Sequence, residues 1–456
     1  MLKIRHLSTS MAGLFDRIAP PEEGQQKRTL GMLDLTSLGI AAIIGAGIFF
    51  LLGAESVGTG PAVLVSLLLG GVMAALAAFS YAEAAARIPG KGSAYQYAFV
   101  AFGRLPAFIT GWLFVNAYVI GNASVAQAWS PYFVTFTERF GMVWSEALTT
   151  GPYEGGIVDI PAIVLMVAVA ALVAAGVETG KRVNNALVVL KLVIVLMVIG
   201  IGAFLVDSSN WTPFSPGGWK GIAGSTAVLF FAFLGFDTIA TTGSEAKNPR
   251  RNMPRAILLS IGICTVLYVA MAIVVTGMTS PMQRGEEAVV TAFDDAGMAW
   301  AGAVIGFGVV IALATVAYAF HFAMTRILQT MANDGFVPSL LGSSSPRKAS
   351  WIVGLITIVC VSLFPLTAVV QMSVLASMAI YVMVSATVVR LRRGSATKTA
   401  FRVPITIHVL AILGFIVMAG IGLPVVILLL FVAWMGLGLA IYGFWGHRSS
   451  VAAMPS

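Results

Sequence analysis

Charged residues are scarce in this sequence, and their scarcity excludes an ordinary soluble domain. Asp, Glu, Lys and Arg together make up 10% of the 456 residues, whereas hydrophobic residues make up 58%. Soluble globular domains contain roughly 25% charged residues. The composition therefore predicts an all-α polytopic membrane protein embedded in a lipid bilayer.

Cysteine and histidine are also rare. The two cysteines, Cys264 and Cys360, lie inside apolar runs, which predicts small core residues with no disulfide framework and no metal site. An intramembrane enzyme needs a nucleophile beside its base, or ligands at metal spacing. The sequence shows neither pattern, so we expect no enzyme, no metal and no cofactor; the four scattered histidines are His6, His321, His408 and His447.

Long apolar runs are what the chain has in abundance. A bilayer-spanning helix needs about 20 predominantly apolar residues. Runs of that length predict twelve transmembrane helices, at residues 34–57, 61–87, 107–136, 158–177, 183–206, 222–245, 256–278, 298–327, 351–369, 371–390, 405–422 and 424–445.

The few positive charges are distributed asymmetrically. If the N-terminus is cytoplasmic, all but four of the 27 Lys and Arg face the cytoplasm; Arg139, Lys220 and Arg284 lie outside and Lys191 lies within a span. This asymmetry predicts a plasma (inner) membrane protein with both ends inside. The net charge of +8 thus reflects the orientation of the protein in the membrane and does not indicate a nucleic acid partner. Residues 1–30 are polar and contain no apolar core, which predicts no cleavable signal peptide.

The first span contains Gly45, Ala46 and Gly47 at its middle, where an anchoring helix would gain from better helix formers. Glycines there predict a break in the helix. A break exposes backbone groups in the bilayer, which is tolerated where protein, water or a solute provides partners. The half-helix after the break would direct free N–H groups at a carboxylate. The alternative is close helix packing, which small residues also permit.

The sixth span repeats this pattern. Gly235 follows an aromatic run, with Phe236 as a candidate pocket or gate residue, and Asp237 stands where a second half-helix would begin. Helix capping is the default role of Asp237, with ligand or proton binding as the alternative. Interruptions in spans one and six indicate a transporter built from two five-helix inverted repeats. We therefore divide the chain into an N-terminal segment 1–30, repeats 31–207 and 208–393, and two further helices in 394–456.

Four polar residues inside other spans are candidate functional groups. Lys191 lies about eight residues inside the fifth span, too deep for its amine to reach the interface easily, so it is expected to function in the site. Asn116 in the third span is expected to face a neighbouring helix or a cavity. Tyr318 and His321 share a face of the eighth span. For His321 a buried, hydrogen-bonded histidine is the default and a substrate or proton role the alternative.

Several motifs together resemble the cationic amino acid transporters of the amino acid-polyamine-organocation superfamily. The resemblance runs from the first span to the end of the eighth. It implies the five-plus-five inverted repeat of the sodium-coupled leucine transporter and alternating access around a site between helices 1 and 6. The motifs are GAGIF at 45–49, YAEAAARIPGKGSAY at 81–95, AFITGW and YVIGNASVAQAW within 107–129, and FFAFLGFDTIATTGSEAKNP at 230–249.

The resemblance also implies roles for individual residues. The N–H groups of Ala46 and Gly47 would hold a substrate carboxylate, and Phe231 would act as an aromatic gate. Lys191 would take the place of a sodium ion near Ile44 and Gly45 and exchange a proton, so that the proton is the coupling ion. The remaining substrate-binding residues are Ile43, Gly45 and Asn116, together with Phe231, Ala232 and Leu234, whose carbonyls would take the ammonium.

One departure from the family pattern bears on the substrate. Ala117 occupies a position where some bacterial relatives have a glutamate. A cationic side chain in mid-membrane would need a carboxylate, and Asp237 is the one at that depth. We therefore predict a proton-coupled importer of small or neutral amino acids, with cationic substrates kept open. An exchanger that moves no proton and a non-transporting sensor remain alternatives, whereas a channel is disfavoured because no pore element repeats. Accessory subunits and oligomeric state are not predicted.

Overall fold

The computed structural model describes residues 28–88, 93–176, 181–243, 245–279, 285, 287–338, 346–394 and 401–446. These residues are almost entirely helical, and their β-type pairing is limited to one isolated bridge between Leu30 and Ala246. Most of the predicted N-terminal segment, up to residue 27, and the end of the chain from residue 447 lie outside the described residues.

The membrane domain is built from α-helices with short π and 3₁₀ segments at several interruptions. In chain order the α-helices are α1 Met32–Ile43, α2 Leu52–Thr59, α3 Val63–Arg87, α4 Ala94–Phe102, α5 Arg104–Phe114, α6 Gly121–Glu138, α7 Ile160–Ala174, α8 Lys181–Gly202, α9 Gly218–Leu229, α10 Thr238–Thr241, α11 Pro249–Met278, α12 Ala288–Asp295, α13 Ala299–Asn333, α14 Pro346–Leu363, α15 Leu366–Gly394, α16 Ile405–Gly422 and α17 Val425–Ile441.

Nine helical stretches in the described part of the chain are long and apolar enough to cross a membrane. They confirm a multi-pass membrane protein, but the predicted number of twelve spans stays a prediction. Two further apolar helices, α1 and α7, are shorter. The nine stretches are Gly47–Arg87, Arg104–Glu138, Arg182–Leu205, Gly218–Ala240, Pro249–Met278, Ala299–Asn333, Leu366–Arg393, Ile405–Gly422 and Val425–Phe444.

The predicted boundary between the ninth and tenth spans is wrong. The apolar pattern continues to residue 369, yet α14 ends at Leu363 and α15 begins at Leu366. Pro365 stands between the two helices. Proline is tolerated at the start of a helix because its missing N–H would be unpaired there anyway. Its carbonyl accepts the N–H groups of Ala368 and Val369 at 3.0 and 3.2 Å, which starts α15.

A buried carboxylate joins α3, α15 and α16. Glu83 is fully buried and accepts hydrogen bonds from the guanidinium groups of Arg87 and Arg392 and, at 3.1 Å, from the N–H of Val403. The ring of His408 lies 3.3 Å from the same carboxylate. The sequence alone indicated only the Glu83 and Arg87 pair at the helix end. The structure shows that this group also anchors the first turn of α16.

Removal of the Glu83 charge is therefore expected to destabilise the fold. In a Glu83→Gln variant the two buried guanidinium groups lose their counter-ion, which costs about 3–5 kcal/mol in comparable buried pairs. Unfolding in a mild detergent, followed by circular dichroism against SDS concentration, measures this loss. Glu146→Gln is the matched control because Glu146 is exposed. Equal stability of the two variants would contradict a structural role for Glu83.

Candidate functional site

The first interruption lies between α1 and α2. Helix α1 ends at Ile43, Ile44 is extended with φ −71° and ψ 106°, and a π-helical segment, Gly47–Leu51, follows. Among the described residues, the backbone N–H groups of Gly45, Ala46 and Gly47 have no hydrogen-bond acceptor. Three adjacent unpaired donors buried in a membrane protein form a ready site for an anionic group.

The second interruption lies at the end of α9. A 3₁₀ segment, Phe230–Phe233, leads to Leu234, which is extended with ψ 149°, and to Gly235 with φ +109°. A side chain is strained at this φ. A Cβ at Gly235 would also lie 2.7 Å from the carbonyl oxygen of Ala42. Glycine is thus required here for two reasons.

The two interruptions pack directly against each other. A Cβ placed on Gly47 would lie 2.2 Å from the Cα of Ala232. The structure therefore confirms the two predicted breaks and shows that their backbones touch. Small residues at both sites permit this approach.

Lys191 of α8 places its amine at the end of α1. Its Nζ donates to the carbonyl oxygens of Ala41 at 2.7 Å and Ile44 at 3.1 Å, and the residue is only 2% exposed. These carbonyls lack helical partners because α1 ends at Ile43. The amine thus lies where a bound cation could be coordinated by the carbonyl oxygens of Ala41 and Ile44.

A cavity of about 1210 Å³ leads to Lys191 and the end of α1 from one end of the helices. Its inner part is lined by Ala41, Ala42 and Lys191, and its outer part extends to the residues at the helix ends, such as Thr29 and Asn333. Near this mouth, Tyr95 donates to the Asp334 carboxylate at 2.6 Å. Burial raises the pKa of Asp334, although the hydrogen bond from Tyr95 opposes that rise.

The opposite end of the site is closed by contacts between α2 and α9. Ser225 donates to the carboxylate of Glu55 and is in hydrogen-bond contact with Thr59. Closer to the break, the hydroxyl of Tyr132 donates to the carbonyl of Phe49. The cavity beside the end of α1 is thus open toward the end that carries Thr29, while the end that carries Glu55 is closed.

A family model described as amino acid permease matches residues 30–442. The chain belongs to the amino acid permease family. Two relatives come from Bacillus subtilis: a methylthioribose transporter, 35% identical over 93% of this chain and 94% of the relative, and the branched-chain amino acid permease BcaP, 34% identical over 94% and 95%. The mouse cationic amino acid transporter 4 is 33% identical over 83% of this chain and 62% of its own.

The fold agrees with membership of the amino acid permease family. The solved structure of MhsT in complex with L-phenylalanine aligns with a TM-score of 0.58 over 87% of the permease and 100% of that chain, at 16% identity. At this identity the likeness concerns the fold alone. It confirms the predicted fold of leucine-transporter type with interrupted helices.

The predicted substrate residues of the permease all lie at or beside the two interruptions, except Asn116. Ile43, Ala46, Phe231 and Ala232 are each at most 5% exposed. None of them lines the large cavity, which ends at Ala41, Ala42 and Lys191. Their role in binding therefore stays a prediction.

Asn116 lies apart, in the π-helical segment Val115–Ile120 between α5 and α6. It is fully buried, and neither of its amide atoms has a partner among the described residues. It does not line the cavity that leads to Lys191. The predicted contact of Asn116 with substrate also stays a prediction.

The predicted helix-capping role of Asp237 is wrong. Its carboxylate caps no N–H group of α10 and instead accepts a hydrogen bond from the hydroxyl of Tyr118 at 3.0 Å. Both side chains border a second, water-sized cavity of about 10 Å³ beside Leu234 and Gly235. Phe236 packs edge-on against the ring of Tyr81 and belongs to a packed aromatic cluster.

Tyr318 and His321 do not form one site. Tyr318 lines the large cavity. His321 is fully buried, with its Nε2 3.1 Å from the carbonyl oxygen of Ser350 in α14. The default interpretation of a buried, hydrogen-bonded histidine is confirmed, and a pocket or gate role for His321 has no geometric support. Among the described residues no cluster of three His, Cys, Asp or Glu side chains is placed to hold a metal ion.

The sequence analysis missed Tyr268 of α11. This residue is fully buried, and its hydroxyl lies 2.8 Å from the carbonyl oxygen of Ile43 and 3.1 Å from that of Ala232. It therefore links the two interruptions through one polar atom. A lone tyrosine deep in an otherwise apolar span was the available signal, because polar groups at that depth need a partner.

Loss of the Tyr268 hydroxyl is expected to destabilise the permease. Tyr268→Phe keeps the ring but leaves two buried carbonyls without that donor, which costs about 1–3 kcal/mol. Thermal unfolding in detergent measures the effect. Tyr97→Phe is the control, because the buried Tyr97 hydroxyl has no hydrogen-bond partner in the described part of the chain, so its removal should be neutral or stabilising. A similar loss in both variants would refute the bridging role.

Proposed function

We propose that this permease is a proton-coupled amino acid importer. The observation that carries the proposal is the Lys191 amine on the carbonyls of Ala41 and Ile44. Carbonyls of broken helices bind the coupling cation in transporters of this kind. A protonated Lys191 would hold the end of α1 in place, and a neutral one would donate fewer hydrogen bonds. Proton loss into the open cavity would therefore weaken the attachment of α1.

The charge distribution supports a proposal for the orientation of the permease. We propose a plasma membrane protein with both ends in the cytoplasm, because nearly all Lys and Arg then lie inside. The cavity mouth at Thr29 and Asn333 would then face the cytoplasm. In this orientation the conformation is inward-facing, and the contact of Glu55 with Ser225 belongs to the closed outer gate.

We propose small or neutral amino acids as substrates. The unpaired N–H groups at 45–47 suit a carboxylate, and the nearby carbonyls suit an ammonium. The carboxylate of Asp237 accepts a hydrogen bond from Tyr118 but has no cationic partner among the described residues. It could therefore pair with a cationic substrate side chain, so cationic amino acids are the alternative substrates. The names of the relatives span branched-chain and cationic amino acids and methylthioribose.

Uptake by purified protein in proteoliposomes tests the coupling. We expect an inward proton gradient to drive accumulation of substrate above its external concentration. An exchanger would show counterflow but no such accumulation, and a sensor would show neither. Dissipation of the gradient with a protonophore should stop accumulation and leave counterflow intact.

Thermal-shift screening identifies the substrate class. The purified permease is heated with each of the twenty amino acids and with methylthioribose, at two pH values. Stabilisation by neutral amino acids is expected. Stabilisation by arginine and lysine alone would contradict the neutral assignment, and stabilisation by methylthioribose alone would contradict an amino acid substrate.

A further inference from the structure

Three exposed arginines lie in the first two turns of α11, at the end of the molecule that carries the cavity mouth. They are Arg250, Arg251 and Arg255. Within the described part of the chain, their side chains make no ion pair and no hydrogen bond. Lys247, one turn earlier, is exposed as well. Positive charge is thus concentrated here, and these side chains have no ion-pair partner among the residues that the structure describes.

Two of these arginines lie on the same face of α11 as a row of exposed apolar side chains. From Arg251 and Arg255, further steps of three or four residues lead to Leu259, Ile263 and Val266, which are 44%, 38% and 69% exposed. Residues at this spacing lie on one face of a helix. Large exposed apolar side chains on a membrane-spanning helix face lipid. The arginines therefore stand at the end of a lipid-facing surface, at the depth of the phospholipid headgroups.

Guanidinium groups at this depth are suited to phosphate. The guanidinium fork binds two phosphate oxygens at once, and basic residues beside a membrane attract anionic lipids. We infer that Arg250, Arg251 and Arg255 form a binding surface for the headgroup of an anionic phospholipid, whose chains lie along Leu259 and Ile263. The alternative is that these arginines only orient the protein, in which case headgroup charge would not matter.

Titration of the detergent-purified full chain with dioleoyl phosphatidylglycerol or dioleoyl phosphatidylcholine tests the inference, with thermal unfolding as readout. We expect saturable stabilisation by the anionic lipid and little by the neutral one. Replacing the three arginines with glutamine should weaken the apparent affinity for phosphatidylglycerol by about fivefold for each arginine. Replacing them with lysine should give an intermediate affinity, because the charge stays while the two-oxygen fork is lost, and it shows that the positions tolerate substitution.

The control removes two positive charges on another helix. Arg390 and Arg393 of α15 are also exposed, and their double glutamine variant should bind phosphatidylglycerol like the wild type. Equal stabilisation by both lipids, an unchanged affinity in the triple glutamine variant, or an equal loss in the control would overturn the inference. Equal stabilisation by soluble glycerol phosphate would also overturn it, because the surface would then bind a free anion and no lipid. None of these readouts depends on the transported substrate.

Discussion

Substitution of Gly47 by leucine is expected to abolish substrate binding. Even the first side-chain atom would lie 2.2 Å from the Cα of Ala232, and backbone atoms cannot move aside as a flexible side chain can. The two interruptions would have to separate, which displaces the N–H groups at 45–47. Overpacking of this kind costs at least about 1–3 kcal/mol, so the affinity should fall by at least roughly fivefold to 150-fold.

Gly58→Leu is the matched control for this variant. Gly58 also lies after the break, in α2, but nothing lies within 4 Å of its Cβ position. Isothermal titration with the best amino acid from the thermal-shift screen compares the two variants. Gly45→Ala provides an intermediate case, because the nearest atoms to its Cβ would belong to the side chain of Val316, the first at 2.8 Å, and not to the backbone. Wild-type affinity in Gly47→Leu would show that this glycine serves only helix packing.

Replacement of Lys191 by alanine is expected to abolish accumulation driven by a proton gradient. The carbonyls of Ala41 and Ile44 would lose their buried donor, and the permease would lose an amine that is buried beside α1. The two unpaired carbonyls should also cost about 1–3 kcal/mol each in stability. Proteoliposome uptake with and without an inward proton gradient measures the first effect, and thermal unfolding measures the second.

Counterflow separates a coupling defect from a misfolded protein. A Lys191→Ala variant that still exchanges substrate, but no longer accumulates it, would have lost coupling alone. Lys220→Ala removes an exposed lysine and should behave like the wild type. Gradient-driven accumulation that persists in Lys191→Ala would eliminate the proposed role of this amine.

The interruptions could be predicted from sequence because their cause is local. Glycine in the middle of an apolar run weakens the helix wherever it occurs, and Gly47 and Gly235 both lie at observed breaks. The position of Lys191 was predicted for a similar reason, since an amine that far inside a span must find a partner within the protein. The carbonyls that it contacts were implied only by the family resemblance.

Other features depend on which helices become neighbours, and a single sequence does not contain that information. Asp237 had the position of a helix cap, but Tyr118 on another helix binds its carboxylate instead. Tyr268 gave a weak signal because one tyrosine among apolar residues resembles many buried core residues. The contact of His408 with Glu83 joins residues far apart in the chain, so no spacing rule could indicate it.

The hydroxyl of Tyr268 has a consequence for selectivity. It carries a single hydrogen, yet it faces the carbonyl oxygens of both Ile43 and Ala232. At any moment one oxygen lacks that donor, and in a low-dielectric interior such a deficit is expensive. In the proposed binding mode a substrate amine would bring several hydrogen-bond donors to these carbonyls, whereas the corresponding keto acid would bring none. Deaminated analogues of the substrate should therefore compete poorly, even when their carboxylate and side chain are unchanged.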